Sequence, residues 1–218
     1  MKKATPSLSV AAENDPLSMR QRIVDAAMAL FFRYGYSRVV VDDIARELAI
    51  SKKTIYNHFG GKADILMAGI EQFADRYVTG AEAILNNVDL TFRQKLNDYL
   101  LHIGISFSSV NRLFLDDLKR SEPTLWQRMT DFRRDVPLKN FAQLLDEGAR
   151  VGYIRDDSTR QLAVLVYVSA IQSLTDPDFL TQFPGAVTVG IASNPRETIE
   201  QVINLLLRGM LTEKFYRE

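Results

Sequence analysis

Two short amphipathic segments constrain the fold of this chain more than any other feature of its sequence. Residues 42–48 and 52–59 carry apolar residues at helical spacing, and only residues 49–51 separate them. Helices this short are not stable alone, so both must pack on a longer neighbour. The preceding helical segment, which ends at Gly35 as a left-handed cap, presents one apolar stripe for them. We therefore predict a three-helix, helix-turn-helix unit. Its predicted core consists of Ile23, Leu30, Phe31, Ile44, Leu48, Ile50, Ile55 and Phe59.

Helix-start signals recur at nearly every junction of the remaining sequence. Capping boxes stand at Ser18, Thr91 and Ser158, and first-turn prolines mark starts at Pro123 and Pro195. The signals predict further helices over 62–86, 92–108, 111–119, 123–151, 158–175 and 195–212. Residues 176–193 are predicted to form an irregular loop, since their alternating segment 185–192 is too short to predict a strand.

The predicted fold class is all-α, in two domains. Residues 1–17 lack periodicity and are predicted to be a flexible tail. Residues 18–62 form the N-terminal three-helix helix-turn-helix domain, and residues 63–218 form a C-terminal helical domain.

Charge is unevenly distributed, although the whole chain is neutral with 27 basic and 27 acidic residues. Residues 18–62 hold eight Lys or Arg against four Asp or Glu, a net charge of +4. Residues 63–218 hold 17 basic and 21 acidic residues, a net charge of −4. This asymmetry predicts a small basic module that binds a polyanion, joined to a mildly acidic body.

Several classes of protein are disfavoured by what the sequence lacks. It has no cysteine, which excludes disulfides, thiolate catalysis and cysteine-ligated zinc. Its two histidines lie far apart, and no glycine loop for phosphate is present, so no metal and no cofactor are expected. Residues 104–108 resemble half of a nucleophile elbow, but the second glycine is missing. Because these motifs are missing, we expect no enzymatic activity. No apolar run could span a membrane, so we expect a cytoplasmic protein.

The solvent side of the second short helix carries groups suited to DNA. In a helix-turn-helix unit this helix enters the major groove. Its polar residues could donate to phosphates and base edges, and its ring could contact a thymine methyl group. These residues are Lys52, Lys53, Thr54, Tyr56, Asn57 and His58.

Residues 22–66 also resemble the N-terminal domain of the tetracycline-repressor (TetR) family. The segments that match are 23–27, 30–31, 35–36, 41–45, 51–59 and 62–66. The resemblance implies that Lys52, Lys53, Thr54 and Asn57 face bases or nearby phosphates. It also implies that Tyr56 and His58 hold the phosphate backbone, and that Lys62 reaches a phosphate from the next helix.

Two positions depart from the family pattern. Val40 stands where the family usually has a capping Thr or Ser, which predicts a local cost of roughly 0.5–2 kcal/mol. Asp42 and Asp43 are expected to offset part of that cost through the helix dipole. Lys53 stands where the family often has Gly or Ala, so an additional cation is expected against DNA.

The body of such a protein is expected to form the dimer and to bind an effector. Segments 158–175 and 195–212 are apolar on more than one side, which predicts a homodimer through them, the alternative being core helices of a monomer. The resemblance implies a small-molecule effector. Candidate pocket residues, each of which could instead be ordinary core, are Phe73, Tyr77, His102, Phe107, Trp126, Phe132, Tyr167 and Gln172.

The functional prediction is a repressor that leaves a palindromic double-stranded DNA operator when a small apolar or aromatic molecule binds. The alternative is an architectural DNA-binding helical protein without an effector, which needs the same first domain.

Overall fold

The structure, a computed structural model, describes residues 16–155, 157, 159–174, 176–191, 194–210 and 215. Within these residues every regular element is a helix, so the predicted all-α fold class is confirmed. The helices are α1 (Pro16–Tyr34), α2 (Val41–Glu47), α3 (Lys52–Tyr56), α4 (Lys62–Leu85), α5 (Phe92–Ser108), α6 (Arg112–Ser121), α7 (Pro123–Arg150), α8 (Thr159–Leu174), α9 (Pro177–Leu180), α10 (Gly185–Thr188) and α11 (Pro195–Met210). No helix in this part of the chain is both long enough and apolar enough to cross a membrane.

The two chain segments that lacked helical periodicity needed correction. Helix α1 begins at Pro16, because a proline is favourable in a first turn, so Ser18 lies inside the helix and not at its cap. The rest of the predicted tail, residues 1–15, lies outside the described residues. The predicted loop 176–193 contains the short helices α9 and α10. Helix α9 starts where the Asp176 carboxylate accepts a hydrogen bond from the Asp178 amide, at 3.0 Å.

The predicted caps account for where the longer helices begin. At the start of α5, Thr91 Oγ1 accepts from the Gln94 amide at 3.3 Å, and Gln94 Oε1 accepts from the Thr91 amide at 2.9 Å. Asn194 Oδ1 accepts from the Arg196 amide at 2.9 Å, which caps α11. The predicted box at Ser158 lies outside the described residues, as do the predicted helix ends at 158, 175 and 211–212.

The chain packs as two compact units. The first comprises the described residues through Phe73 together with Leu113–Leu125, and the second comprises Ala74–Arg112 and the residues from Trp126 onward. Helix α6 therefore packs with the first unit, although it follows α5 in sequence. The functional boundary at residue 62 stays a prediction.

The first unit has the predicted three-helix core with α6 added. The buried members of the predicted core are Ile23, Phe31, Ile44, Ile55 and Phe59. Three others, Leu30, Leu48 and Ile50, are only partly buried. Helix α6 contributes two further buried side chains, Phe114 and Leu118.

The second unit packs α7, α8 and α11 around α5. A methyl group added at Gly104 would lie 2.6 Å from Ile199 and 2.9 Å from the Tyr167 hydroxyl, so this glycine permits a close approach of helices. Close packing therefore accounts for the glycine of the elbow-like segment 104–108, which lies inside α5.

We expect Gly35→Ala to destabilise the first unit by about 1–3 kcal/mol. Gly35 has a φ of +88°, and a Cβ there would lie 2.9 Å from Asp117 Oδ2. Gly61→Ala is the matched control, because nothing lies within 4 Å of its Cβ position and its φ is not in the left-handed region. Thermal melts of both variants measure the difference. Equal melting temperatures for the two would contradict this role of Gly35.

Candidate nucleic-acid interface

The turn between α2 and α3 is as tight as the sequence predicted. Ala49 has a φ of 52°, the left-handed region, which reverses the chain directly after α2. The Ile50 amide then donates to the Ala45 carbonyl at 3.0 Å. A side chain held in this conformation costs about 1–3 kcal/mol unless its surroundings fix it, and the buried Ile44 and Ile55 on either side provide that packing.

Helix α3 is fixed at both ends. At its start, Ser51 Oγ accepts from the Thr54 amide at 3.1 Å, which confirms the predicted cap. The helix ends at Tyr56, three residues earlier than predicted. There the His58 amide donates to the Ile55 carbonyl at 2.9 Å, three residues back instead of four, which closes the last turn more tightly.

The structure brings the predicted DNA-binding residues of α3 and its C-terminal turn together on one open surface. Lys52, Lys53, Tyr56 and Asn57 are exposed, and Thr54 and His58 are partly exposed. We call these six residues the α3 surface. The helix side opposite to it carries the buried Ile55.

Lys52 has an ion-pair partner on the preceding helix. Its Nζ lies 2.5 Å from Asp42 Oδ1, and both side chains are about half exposed to solvent. Such exposed pairs contribute little free energy, about 0–1 kcal/mol, so Lys52 can exchange this carboxylate for a phosphate.

Lys62 differs from the residues of the α3 surface, because its ammonium group makes hydrogen bonds within the protein. Its Nζ donates to the carbonyl oxygens of Tyr36 and Val39, each at 2.9 Å, and lies 4.1 Å from the centre of the Tyr36 ring. Burial lowers the pKa of Lys62, and the charges of Asp117 and Glu122 oppose that shift. The ammonium group therefore stabilises the turn between α1 and α2, and its phosphate contact stays a prediction.

Helix α6 fixes the same turn from another side. Asp117 Oδ2 accepts from the Ser37 amide at 2.7 Å, and the Tyr36 hydroxyl donates to Glu122 Oε1 at 3.0 Å. Burial alone would raise the pKa of Asp117, but its hydrogen bonds with Ser37 and Ser121 lower it. Asp117 could not be predicted from the sequence, because its partner lies 80 residues away and no local pattern marks the contact.

Asp43 partly compensates for the side-chain cap that Val40 cannot provide at the start of α2. Valine has no acceptor, but Asp43 Oδ2 accepts from the Val40 amide at 2.9 Å. Asp43 also pairs with Arg46 at 3.1 Å. A direct hydrogen bond therefore adds to the dipole effect expected for Asp43, and α2 keeps half of a capping box.

The candidate effector residues are divided between the two compact units. Phe73 belongs to the first unit and the others belong to the second. Within the second unit, the Tyr77 ring lies 4.8 Å from the His102 ring and 5.8 Å from the Phe132 ring. Gln172 is exposed on α8.

The buried tyrosines of this set are satisfied within the protein. The Tyr77 hydroxyl lies 2.8 Å from the Tyr99 hydroxyl, which donates to the Pro137 carbonyl at 3.0 Å. The Tyr167 hydroxyl donates to the Leu100 carbonyl. Burial raises the pKa of Tyr99 to about 12, so these hydroxyls stay neutral. His102 Nε2 lies 2.9 Å from the Tyr77 carbonyl oxygen, which matches an ordinary core histidine.

Two cavities lie away from these candidate residues. One of about 380 Å³ lies in the second unit, beside Arg93, Asn97 and Arg208. Another of about 500 Å³ lies in the first unit, beside Tyr34 and Arg38. Neither is lined by any predicted effector residue. The effector residues therefore stay a prediction.

Comparisons with known proteins agree with this architecture. Residues 23–68 match the family model for bacterial regulatory proteins of the tetR family. The chain is 24% identical over 196 residues to the HTH-type transcriptional regulator YvaF of Bacillus subtilis, covering 90% of this chain and 97% of YvaF.

Solved structures share the fold over nearly the whole chain. The ketosteroid transcriptional regulator KstR2 of Mycobacterium tuberculosis superposes with a TM-score of 0.66 at 18% identity, covering 94% of this chain and all of KstR2. A transcriptional regulator from Saccharomonospora viridis in complex with choline superposes with a TM-score of 0.68 at 22% identity, covering 89% of this chain and 98% of its own. On this evidence residues 23–68 form a DNA-binding domain of the tetR family, and the chain as a whole is similar to HTH-type transcriptional regulators.

Proposed function

We propose that the protein is a ligand-responsive repressor. Two copies bind a palindromic operator through their α3 surfaces, and a small molecule that enters the body releases them. The observation that carries the proposal is the α3 surface itself, where cations, an amide and a phenol stand exposed on a helix anchored by Ile55. This function requires the protein to act in the cytoplasm, where bacterial DNA lies.

Exposed apolar residues support the dimer. On α8 the side chains of Leu162, Leu165 and Val166 are 49–62% exposed in the single chain, and on α11 Leu205 is 77% exposed. The opposite side of α8 is already buried in the protomer through Tyr167 and other residues. Core helices of a monomer would not leave this apolar surface open to water. A second copy of the chain would cover this apolar surface, because α8 and α11 would then be buried on both of their sides.

An effector would release the operator DNA by changing the spacing between the two α3 surfaces of the dimer. Half-sites of a dimeric operator lie one helical turn apart, about 34–36 Å, or a multiple of that. Helix α4 contributes residues to both compact units, so it is the element whose position an effector would bias. A ligand can lower DNA affinity only by its differential affinity for the two arrangements.

Salt dependence of DNA binding tests the proposal and separates the roles of two lysines. We expect Lys53→Ala to weaken operator binding and to reduce the slope of log affinity against log salt by about 0.9 for each phosphate that Lys53 neutralises. Lys62→Ala should also weaken binding, because its ammonium holds the carbonyls of Tyr36 and Val39. A reduced slope for this variant would support the predicted phosphate contact of Lys62, and an unchanged slope would leave it only the role in the turn.

Lys139→Ala is the control, since that residue is exposed on α7 in the second unit. It should bind DNA as the wild type does. An unchanged affinity and slope for Lys53→Ala would contradict the assignment of α3 as the reading helix.

A further inference from the structure

Helix α7 buries one charged residue inside an apolar stripe. Every fourth position of the helix is buried, and the stripe runs through Met129, Arg133, Pro137, Phe141 and Leu145. Such spacing normally selects apolar side chains, because these positions face the core. Arg133 occupies the middle of the stripe and is only 9% exposed.

Within the part of the chain that the structure describes, the contacts of Arg133 include no counter-charge. Its Nη2 donates to the Phe107 carbonyl oxygen at 3.3 Å, and the guanidinium lies 4.9 Å from the centre of the Phe107 ring. Its Nη1 has no hydrogen-bond partner among the described residues. The carbonyl and the ring are neutral groups, so they stabilise the cation only in part.

The neighbouring arginine shows the ordinary arrangement. Arg134 is exposed and pairs with Asp131 at 3.0 Å and with Asp135 at 2.6 Å. A buried arginine is normally paired in the same way, because an isolated charge in the interior is costly. Burial lowers the pKa of Arg133 to about 10, which still leaves it protonated at neutral pH.

We propose that Arg133 binds the carboxylate of the effector, an organic acid with an apolar body. The proposal rests on the proposed function and specifies the chemical class of the molecule that releases DNA. The unpartnered Nη1 and the adjacent Nη2 offer the fork that holds a carboxylate. A single buried cation balances one negative charge, so a monocarboxylate fits better than a doubly charged phosphate.

The surroundings of Arg133 suit the rest of such a molecule. The Phe107 side chain is buried beneath the guanidinium, and Phe132, the preceding residue of α7, packs its ring against Tyr77. The two cavities described above do not include Arg133. A cation such as choline would be repelled from this position.

The single tryptophan gives a direct readout of binding. Trp126 lies two turns before Arg133 on α7, in the same compact unit. The purified full-length protein is titrated with hexanoate, decanoate, myristate and phenylacetate, each beside its uncharged amide, and with choline. We expect at least one carboxylate to change the Trp126 fluorescence and to raise Tm, with its amide binding at least about tenfold more weakly.

Arg133→Met removes the charge and keeps the bulk of the side chain. We expect it to weaken carboxylate binding by at least about thirtyfold, which is typical of breaking a buried charge pair. Arg134→Met is the matched control and should bind as the wild type does, because that side chain is exposed. Equal binding by Arg133→Met and the wild type would overturn the proposal, as would amides that bind as tightly as their acids.

The free protein also distinguishes a ligand site from a structural contact. If Arg133 serves only to hold the end of α5, Arg133→Met will lower Tm strongly and no carboxylate will raise that of the wild type. If Arg133 instead serves to bind a ligand, Arg133→Met will be as stable as the ligand-free wild type or more stable. Should Arg133→Met fail to fold, Arg133→Lys tests the proposal in its place, because it keeps the charge. We expect this variant to retain a weakened preference for acids over amides.

Failure of the carboxylate site can be distinguished from failure of the repressor function. Operator binding is measured in the same samples. Release of DNA by an uncharged or cationic molecule only would overturn the role of Arg133 and leave the repressor intact. Failure of the unliganded protein to bind any duplex would overturn the repressor itself.

Discussion

Leu205→Arg is expected to convert a dimeric protein into a folded monomer. Leu205 is 77% exposed in the single chain, so an arginine there costs the protomer little. In the proposed dimer the same position is covered by the second copy, and an unpaired buried charge is costly enough to separate the subunits. Operator affinity should then fall by about 10²–10⁴, because the two reading helices no longer bind as one unit.

Sedimentation, circular dichroism and DNA titration together measure this effect. Asn204→Arg is the control, since it places the same charge on an exposed neighbouring residue with a polar side chain. We expect it to stay dimeric and to bind the operator. A wild-type protein that sediments as a monomer at micromolar concentration would contradict the dimer. A dimeric Leu205→Arg would contradict the assignment of Leu205 to the interface.

Asp117→Ala should weaken the first unit and, with it, operator binding. The substitution leaves the Ser37 amide without its acceptor and removes one of the negative charges beside Lys62. A hydrogen bond to a charged group contributes about 1.5–3 kcal/mol. Asp116→Ala, at the exposed neighbouring position, is the control and should melt close to the wild type.

The turn between α1 and α2 allows two sharper tests of Asp117. Because Asp117 Oδ2 is the atom that a Cβ at Gly35 would meet, Gly35→Ala should cost less in the Asp117→Ala background than in the wild type. Equal costs in the two backgrounds would show that the contact does not exist.

The pH dependence follows from the direction of the pKa shift. The pKa of Asp117 is lowered from 3.8 in the folded protein, so its contribution to stability is present above pH 3.8 and is lost as the pH falls through the lowered value. The difference in stability between the wild type and Asp117→Ala should therefore shrink in acid. A difference that grows on acidification would contradict this role.

The sequence predicted those parts of the structure that depend on local pattern. Caps such as Thr91 and periodic apolar residues located the long helices, because both act within a few residues of the chain. The α3 surface could be predicted for the same reason, since Ile55 alone fixes which side of that short helix is buried.

Contacts between distant segments could not be predicted in this way. The bond between Ser37 and Asp117 depends on how α6 packs with the first unit, and nothing near either residue signals it. The hydrogen bonds from Lys62 to the carbonyls of Tyr36 and Val39 could not be predicted for the same reason, since they join distant segments. Arg133 was missed as well, although Met129 and Phe141 at helical spacing on either side of it are a local signal for the buried stripe of α7.

One measurement tests the account most directly: the binding of the purified protein to duplex fragments of the genome that encodes it, with footprinting of any fragment bound. We predict a specific duplex whose protected half-sites are related by twofold symmetry and lie one helical turn, about 34–36 Å, or a multiple apart. Substituting Lys53 and Tyr56 of the α3 surface should abolish the footprint while the protein stays folded. No binding to any fragment at low salt, or a footprint unaffected by these substitutions, would contradict the account.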